Sequence, residues 1–224
     1  MTKTKTIVIT GASSGLGENL YESFSKSYNV VNISRSISKS NNNIIVDFVN
    51  LSELKNKLKF EKVSHDLCIL NAGTMGKLGL AHKIKNNDFF NSIKINVLAN
   101  KIIIDWSISN GCKFFIGISS GAAIKNYDGW LNYCVTKSAF RTMILQYQKD
   151  LPKLNFKLIS PGILKTNMNK KIKNLDVNLF PDMEKFHKTL ASDPKKASEI
   201  IYKRHNNYFK KKKLEIDLRD ETDW

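Results

Sequence analysis

The stretch KTIVITGASSGLG, residues 5–17, decides the fold. Its first six residues predict a buried strand, and a helical stretch begins just after the glycines Gly11, Gly15 and Gly17. Glycine lets the backbone turn sharply and approach a pyrophosphate closely, and a helix N-terminus offers unpaired amides to such an anion. A tight strand–helix turn needs glycine in any case, and the spacing Gly-x-x-x-Gly-x-Gly differs from the commoner dinucleotide fingerprint. In its strand–loop–helix context the loop nevertheless predicts a dinucleotide site.

Short apolar strands alternate with amphipathic helical stretches along the rest of the chain. Several strands are apolar on both faces, as in a buried parallel sheet. The alternation predicts a Rossmann-like, doubly wound α/β fold, with about seven parallel strands and helices on both faces. Asp193 or Ser192 is expected to cap a helix that begins at Pro194. Strands are predicted at 5–10, 29–33, 44–47, 66–70, 113–118, 155–159 and 214–217, and helices at about 15–27, 51–60, 86–110, 130–150 and 194–208.

Size and composition predict one domain covering residues 1–224, in which the irregular segment 163–190 is expected to form a substrate-binding lid. The chain has no run of about 18 apolar residues and no signal-peptide pattern, so we expect a cytoplasmic protein that does not bind membranes. Cys68, Cys112 and Cys134 are expected to be free thiols in a reducing compartment. The four histidines have no ligand spacing, so no metal is expected and the histidines should be solvated.

The formal charge of +16, from 36 basic and 20 acidic residues, raises the question of an anionic partner. The basic residues are spread from end to end, and Lys210–Lys213 is the one tight basic block in the sequence. The sequence contains no aromatic-interleaved basic stripe, zinc spacing or helix-turn-helix pattern. We therefore interpret the charge as a soluble surface and expect no nucleic-acid partner.

Six elements, in order, make the chain resemble the short-chain dehydrogenase/reductase family. The loop TGASSGLG is similar to the cofactor loop of that family, and the other five elements each fall on the expected strand end or helix. The resemblance covers nearly the whole chain and implies the family's fold and oxidoreductase activity. These five elements are Asn71-Ala72-Gly73, Asn96 within KINVLAN, Ser119-Ser120, the pair Tyr133 and Lys137, and Pro161-Gly162 with Thr166.

The resemblance implies a catalytic group. Ser120 lies thirteen residues before Tyr133, the usual spacing of the catalytic serine, so Ser119 is expected to be structural. A tyrosine with a pKa near ~10 is a poor acid–base group at neutral pH. Lys137 shares one helix face with Tyr133 and is expected, with the positive nicotinamide, to lower that pKa. Ser120 is then expected to hold the substrate oxygen, and Asn96 to position a water for proton relay.

The end of the second strand indicates which cofactor is used. In NVVNISRS, Ser34 stands where an acidic residue would bind the NAD ribose, and Arg35 follows. A guanidinium binds a 2′-phosphate, so NADP(H) is favoured over NAD(H); the alternative for Arg35 is a solvated surface residue. Many NADP-using relatives carry a basic residue at the position of Ser14; Lys39 is a candidate second cation. Asp47 resembles the family's adenine-pocket aspartate, or simply caps a strand end.

The resemblance also predicts the full cofactor site. Lys137 is expected to bond the nicotinamide ribose, and Thr166 and the backbone of Ile163 to orient the carboxamide. The residues expected to bind the cofactor are Gly11, Ser13, Ser14, Gly15, Leu16, Gly17, Ser34, Arg35, Asp47, Asn71, Ala72, Gly73, Tyr133, Lys137, Pro161, Gly162, Ile163 and Thr166.

The substrate side resembles one branch of the family, the sepiapterin and benzil reductases. A Gly-Trp pair precedes the tyrosine, and SPGILKTNM is similar to their proline-glycine segment, with Lys165 in place of an acidic residue. Asp217 matches the aspartate that anchors the pterin in sepiapterin reductase, or is a strand residue near the surface. Trp130 and Met168 either line an apolar pocket or pack in the core.

These residues together predict an NADPH-dependent oxidoreductase that reduces a ketone, a diketone or a pterin side chain. Two alternatives are an alcohol dehydrogenase or sugar- or lipid-pathway reductase of the same family, and a non-catalytic NADP-binding regulatory protein. A regulatory protein has no need of the proton donor, so the complete Ser-Tyr-Lys set argues against it. Relatives pair through the helices at 86–110 and 130–150, so a homodimer or homotetramer is expected.

Overall fold

The fold is a seven-stranded parallel sheet with helices on both faces. A computed structural model describes residues 5–39 and 41–220; residues 1–4, 40 and 221–224 of the predicted domain lie outside the described residues. The strand order is β3-β2-β1-β4-β5-β6-β7, and every neighbouring pair is parallel, which confirms the predicted fold class. The strands are β1 (Thr6–Thr10), β2 (Asn29–Ser34), β3 (Asn42–Ile45), β4 (Leu67–Leu70), β5 (Phe114–Ile118), β6 (Asn155–Ser160) and β7 (Glu215–Asp217).

Eight α-helices cover the two faces of the sheet in the described chain. Asp193 caps the last of them, its carboxylate accepting a hydrogen bond of 2.8 Å from the backbone amide of Lys195, so the predicted helix start is confirmed with Asp193 as the cap. The helices are α1 (Gly15–Phe24), α2 (Leu51–Phe60), α3 (Asn86–Ile93), α4 (Ala99–Ser109), α5 (Leu131–Asp150), α6 (Asn167–Lys173), α7 (Met183–Lys188) and α8 (Pro194–Lys210), with short 3₁₀ turns at Ala81–Lys83 and Gly121–Ala123.

The sheet is buried on both faces, as its apolar strands predict. Along β1, Ile7 and Ile9 pack into the cluster that also holds α1 and α8, while Val8 packs into the cluster under α2, α4 and α5. This division follows from the strand geometry, since successive side chains point to opposite faces. All three side chains are fully buried.

The predicted helix over 86–110 is interrupted. Residues Lys94–Leu98 form a π-helical turn between α3 and α4, and Asn96 lies at its centre, buried. Single π-turns within helices are frequent at functional sites. Residue periodicity does not distinguish such a turn from the α-helices on either side.

The segment 163–190, predicted as irregular, contains α6 and α7. It is tied to the body of the protein by apolar residues that pack against Trp130 and Tyr133 in a third cluster. Helices of seven and six residues are too short to show a clear hydrophobic period, which is why the sequence did not indicate them. The buried residues of this segment in the third cluster are Ile172, Phe180, Met183 and Phe186.

Two of the four histidines are buried, so the expectation that they are solvated is wrong for that half. His65 stacks on Trp106 with 5.1 Å between ring centres, and His205 bonds the hydroxyl of Tyr28 at 2.9 Å. Burial lowers the pKa of both imidazoles. The three cysteines are free and buried. No helix within the described ranges is long and apolar enough to cross a membrane.

Candidate active site

The strand order reverses at β1, which lies between β2 and β4, and a cavity of about 640 Å³ opens at the carboxyl ends of the strands near this point. Ligands of doubly wound sheets bind at such a switch point. All eighteen residues predicted to bind the cofactor line this cavity. The loops that follow β1, β4, β5 and β6 therefore meet where the sequence analysis expected a dinucleotide.

The loop after β1 is shaped by its glycines. Gly11 and Gly15 have φ angles of 70° and 60°, in the left-handed region that favours glycine. A Cβ at Gly17 would lie 2.0 Å from the Gly11 carbonyl oxygen, so α1 starts directly against the loop. Within the described chain, the N-cap residue Ser14 makes no side-chain hydrogen bond to the first turn of α1. The backbone N–H groups in the first turn of α1 can therefore bind an anion, so the loop fits a pyrophosphate.

Thr10, which the sequence analysis did not single out, joins the loops after β1 and β4. Its hydroxyl oxygen accepts hydrogen bonds from the backbone amides of Asn71 and Ala72, both at 2.9 Å. The Asn71 side-chain amide in turn donates to the Thr10 carbonyl at 3.0 Å. A Cβ at Gly11 would lie 3.0 Å from the Cα of Ala72, so the two loops are also in close contact.

A buried asparagine network shapes the end of β2. Asn32 accepts a hydrogen bond from the Ala12 amide at 3.0 Å, and donates to the Ser34 hydroxyl at 2.9 Å and to Asn43 at 2.7 Å. Ser34 is buried and donates to the Ser36 carbonyl at 2.6 Å. The turn that presents Arg35 is therefore held from inside the protein.

Of the three charged residues near this turn that the sequence analysis named, Arg35 and Asp47 line the cavity and Lys39 does not. Arg35 is exposed and lines the cavity. Lys39 is not among the residues that line the cavity, and its ammonium binds Glu22 at 2.5 Å and Glu18 at 3.3 Å; its role as a second cation stays a hypothesis. Asp47 lines the cavity and also caps the turn after β3, accepting a hydrogen bond of 3.0 Å from the amide of Val49.

Ser120, Tyr133 and Lys137 lie in the wall of the same cavity. Ser120 lies near enough to the Tyr133 hydroxyl to oppose the rise in its pKa, and the Ser120 oxygen accepts a hydrogen bond from the Ala122 amide at 3.2 Å. The Lys137 ammonium donates to the Ile118 carbonyl at 2.8 Å and lies 5.7 Å from the centre of the Tyr133 ring. Ser120, the serine that the spacing selected, is therefore a neighbour of both the phenol and the ammonium in this wall.

Burial controls the protonation of this group. It raises the pKa of Tyr133 to about 12, an effect that the Ser120 hydrogen bond opposes, and it lowers the pKa of Lys137 to about 8. We expected Lys137 and the nicotinamide to lower the pKa of Tyr133. In the protein without cofactor the largest influence on this pKa is burial, which raises it. A phenol with this pKa is protonated at neutral pH, the form that a proton donor needs.

Asn96 is buried in the π-turn between α3 and α4 and binds the loop that follows β4. Its side chain accepts from the Thr74 amide at 2.8 Å, and donates to the Thr74 carbonyl at 2.7 Å and to the Thr136 hydroxyl at 2.8 Å. The backbone carbonyl of Asn96 accepts a hydrogen bond from the Asn100 side chain at 2.9 Å. The Asn96 amide is thus fully used in holding the loop that follows Asn71-Ala72-Gly73, and it does not line the cavity. That Asn96 positions a water for proton relay stays a prediction.

Aromatic rings form the substrate end of the cavity. Trp130 is buried and lies 5.0 Å from the ring of Tyr127 and 4.8 Å from that of Phe186, measured between centres. Met168 also lines the cavity, as predicted. The sequence analysis missed further residues of this wall, which come from loops and short helices without a recognisable pattern. These are Met75, Tyr127, Lys171, Ile172, Lys185, Phe186 and Arg219.

Asp217 is not among the residues that line the cavity, and its predicted pterin contact stays a prediction. Its oxygens bind Nε of Arg219 at 2.9 Å and an Nη of the same guanidinium at 2.5 Å. Arg219 is the residue of this pair that reaches the cavity, beside Gly162. The segment that follows β7 therefore places the guanidinium of Arg219 in the cavity wall, where the sequence analysis had named the carboxylate of Asp217.

The fold and this cavity define a class of protein, the nucleotide-binding oxidoreductases with a Ser-Tyr-Lys group. The chain belongs to the short-chain dehydrogenase family, whose model matches residues 46–176. It is an oxidoreductase that acts on carbonyl or alcohol groups, as the similar proteins of known activity do.

Two relatives show the range of these proteins. A benzil reductase that forms (S)-benzoin, from Bacillus cereus, is 28% identical over 80% of this chain and 84% of its own length. A 3-oxoacyl-acyl-carrier-protein reductase from Rickettsia typhi is 31% identical over 75% of this chain and 76% of its own. The resemblance to the benzil reductase branch is thereby confirmed.

Solved structures agree on the fold. Levodione reductase superposes with a TM-score of 0.81 at 14% identity, covering 96% of each chain. An alcohol dehydrogenase from Thermococcus sibiricus, in complex with 5-hydroxy-NADP, superposes with a TM-score of 0.77 at 18% identity, covering 96% of this chain and 95% of the other. At these identities the similarity concerns the fold alone.

Proposed function

We propose that the protein reduces the carbonyl group of a small ketone or diketone, using NADPH as the hydride donor and Tyr133 as the proton donor. The observation that carries this proposal is that Ser120, Tyr133 and Lys137 lie together in the wall of the cavity that the glycine loop also lines, with the Lys137 ammonium 5.7 Å from the centre of the Tyr133 ring. The relatives named as benzil and 3-oxoacyl reductases support the direction of reduction.

The side chains divide the chemistry as follows. When bound, the reduced nicotinamide supplies a hydride to the carbonyl carbon. Ser120 and Tyr133 hold the carbonyl oxygen by hydrogen bonds, and the Tyr133 proton moves to that oxygen as negative charge develops on it. The Lys137 ammonium, close to the phenol ring, stabilises the phenolate that is left. The rings of Trp130 and Phe186 exclude water from the reacting oxygen, which strengthens these interactions.

The residues that would hold the cofactor are those of the glycine loop, the ends of β2, β4 and β6, and Lys137. We propose a preference for NADP(H) because Arg35 lines the cavity at the end of β2 and Ser34, which precedes it, carries no negative charge. A guanidinium binds a phosphate through two parallel hydrogen bonds.

The Arg35→Gln variant tests this preference. Because Arg35 is exposed and its charge is screened, the ratio of kcat/KM with NADPH to that with NADH should fall by about tenfold. Lys39→Gln is the matched control: it removes one positive charge nearby, from a side chain bound to Glu18 and Glu22, and should leave the ratio unchanged. An Arg35→Gln protein with the NADPH preference intact would refute this role of Arg35.

The substrate class is tested with the wild-type protein and a panel of diketones, quinones and pterins, by the loss of NADPH absorbance. We expect turnover of aryl diketones, since the substrate end is walled by aromatic rings. We expect poor turnover of pterins, because Asp217 is engaged by Arg219. Bound NADPH without turnover of any carbonyl compound would overturn the proposal and favour the non-catalytic regulatory alternative.

A second candidate function is reduction of a 3-oxoacyl thioester, favoured by the matches of 30–32% identity to 3-oxoacyl-acyl-carrier-protein reductases from Rickettsia species. Acetoacetyl-coenzyme A in the same panel distinguishes the two. A kcat/KM for this thioester well above that of every diketone would select the second function.

We further propose that residues 163–190 act as a lid over the substrate, within a single domain. Both α6 and α7 contribute cavity-lining residues, among them Met168 and Phe186, and the segment has buried apolar anchors. Limited proteolysis tests this: cleavage between 163 and 190 should slow when NADPH and a ketone are added together. Equal cleavage rates with and without these ligands would argue against a lid.

We also propose that the protein is a homodimer or homotetramer in the cytoplasm. Three large apolar residues in the segments 86–110 and 130–150 are exposed. The exposed fraction is 58% for Phe90 on α3, 39% for Val135 on α5 and 40% for Leu98 in the π-turn. Sedimentation should therefore give a mass of two or four chains, and Val135→Lys should lower it. The three free cysteines support a reducing compartment.

A further inference from the structure

The substrate end of the cavity is lined by cations. Arg219 follows β7, Lys171 lies on α6 and Lys185 on α7, and all three line the cavity. Of the described residues in the cavity wall, the one carboxylate is that of Asp47, which follows β3. Because β3 and β7 are the two edge strands of the sheet, Asp47 lies at the opposite end from Arg219. The substrate end therefore has a positive potential.

The three cations retain capacity for a ligand. The contacts between Arg219 and Asp217 use two of the five N–H donors of the guanidinium. In the chain from 5 to 39 and 41 to 220, neither Lys171 nor Lys185 has an ion-pair partner, whereas Lys188, on the same helix as Lys185, binds Glu184 at 2.6 Å. Two lysines at the wall are thus left without a counter-charge.

Arg219 lines the cavity beside the turn that follows β6. Its Cδ would be 3.1 Å from a Cβ at Gly162, and its charge acts on the hydroxyl of Tyr127. That hydroxyl would in turn be 3.2 Å from a Cβ at Gly121, the residue after Ser120. Tyr127 and Arg219 therefore belong to the part of the cavity wall that adjoins Gly121 and Gly162.

Between the cations and Ser120 the wall is apolar, formed by Trp130, Met168 and Phe186. We propose that the substrate is a ketone with an apolar, aromatic body and a carboxylate, and that Arg219, Lys171 and Lys185 bind the carboxylate. The inference rests on the proposed carbonyl reduction and narrows its substrate class. Hydrogen bonds from charged donors would supply part of the substrate affinity and fix which end of the molecule reaches Tyr133.

The test compares keto acids with their methyl esters, which differ in charge at one end. The pairs are benzoylformate, 3-benzoylpropionate and 4-benzoylbenzoate with the three esters, assayed with NADPH at low ionic strength. For at least one pair, kcat/KM of the acid should exceed that of the ester by about tenfold, the value of one charged hydrogen bond at a partly exposed site. Added salt should reduce the ratio, because the cations are exposed and screened.

Variants assign the preference to the named residues. Arg219→Gln and the double variant Lys171→Gln/Lys185→Gln should each lower the acid-to-ester ratio. Lys173→Gln is the matched control, since it removes one charge from the same helix as Lys171 at a residue outside the cavity wall, and it should keep the wild-type ratio. An equal fall in the control would assign the effect to net charge and overturn the proposal.

Calorimetry with a ligand that cannot be reduced separates this inference from the proposed reaction. In the presence of NADP⁺, 4-benzylbenzoate should bind at least about tenfold more tightly than its methyl ester, and the two variants should abolish the difference. Such binding without any reduction of the ketones would keep the carboxylate site and reject the proposed reaction. Equal binding of acid and ester would overturn the carboxylate site. The carboxylate site would also be overturned if these variants lost NADPH affinity and kept the preference for the acid. The cations would then bind the cofactor phosphates.

Discussion

Substitution of Gly17 by alanine tests the close contact on which the cofactor loop depends. The new Cβ would lie 2.0 Å from the Gly11 carbonyl oxygen and 2.5 Å from the side-chain nitrogen of Asn71. A normal contact between carbon and oxygen is about 3.3 Å, so the first pair must separate by about 1.3 Å. The Gly11 oxygen belongs to the backbone, and moving it displaces the whole loop. Overpacking of this kind costs about 1–3 kcal/mol, and we expect about 3 kcal/mol here.

Gly15→Ala provides the comparison, because its Cβ would meet its nearest neighbour, on Thr166, at an ordinary 3.6 Å. Its penalty comes from the φ angle of 60° and should be about 1 kcal/mol. Urea unfolding should therefore show Gly17→Ala to be about 2 kcal/mol less stable than Gly15→Ala, and a fluorescence titration should show at least about tenfold weaker NADPH binding for Gly17→Ala than for wild type. The reasoning is refuted if Gly17→Ala is as stable as Gly15→Ala and binds NADPH like wild type.

Three further perturbations follow from the site. Burial places the pKa of Lys137 at about 8, so kcat/KM for the ketone should fall as the pH rises through that value and the ammonium is lost; a flat pH–rate profile there would contradict this. Thr10→Val removes the acceptor of two backbone amides and should lower the free energy of unfolding by about 2–3 kcal/mol in urea, while Thr6→Val, at the partly exposed start of β1, should change it by less than about 1 kcal/mol. Asn96→Ala should lower both stability and kcat, and Asn96→Asp should recover part of the stability because it keeps an acceptor for the Thr74 amide; equal losses in the two variants would reject this role.

The sequence predicted those parts of the protein that depend on local requirements. Six of the seven strands occur within one residue of their predicted bounds, β3 begins two residues before its prediction, at Asn42, and α2 has the predicted bounds. The glycine loop and Thr166 fall on one cavity because the carboxyl ends of parallel strands meet at one edge of the sheet. The serine that the motif spacing selected, Ser120, lies in the wall of this cavity with Tyr133 and Lys137.

The sequence did not predict which partner a polar side chain takes in the folded protein. Lys39 follows the cavity-lining Arg35 by four residues in the sequence. Its ammonium nevertheless pairs with two glutamates of α1, Glu18 and Glu22. Asp217 matches a substrate-binding residue by position, but Arg219, two residues later, takes its carboxylate and faces the cavity. The Asn96 side chain is likewise fully used by neighbouring loops. Such choices depend on distances between elements that are remote in sequence or on the exact path of a turn.

The measurement that tests the central claim most directly is reduction of a diketone by the Tyr133→Phe variant in a single turnover with bound NADPH. Removal of one hydroxyl takes away the proton donor and leaves the ring, so we predict a rate at least about a hundredfold lower than wild type, with NADPH affinity within about twofold. Tyr28→Phe removes a phenol hydroxyl that bonds His205, away from the cavity, and should keep the wild-type rate. A Tyr133→Phe protein that reduces the diketone at the wild-type rate would contradict the account.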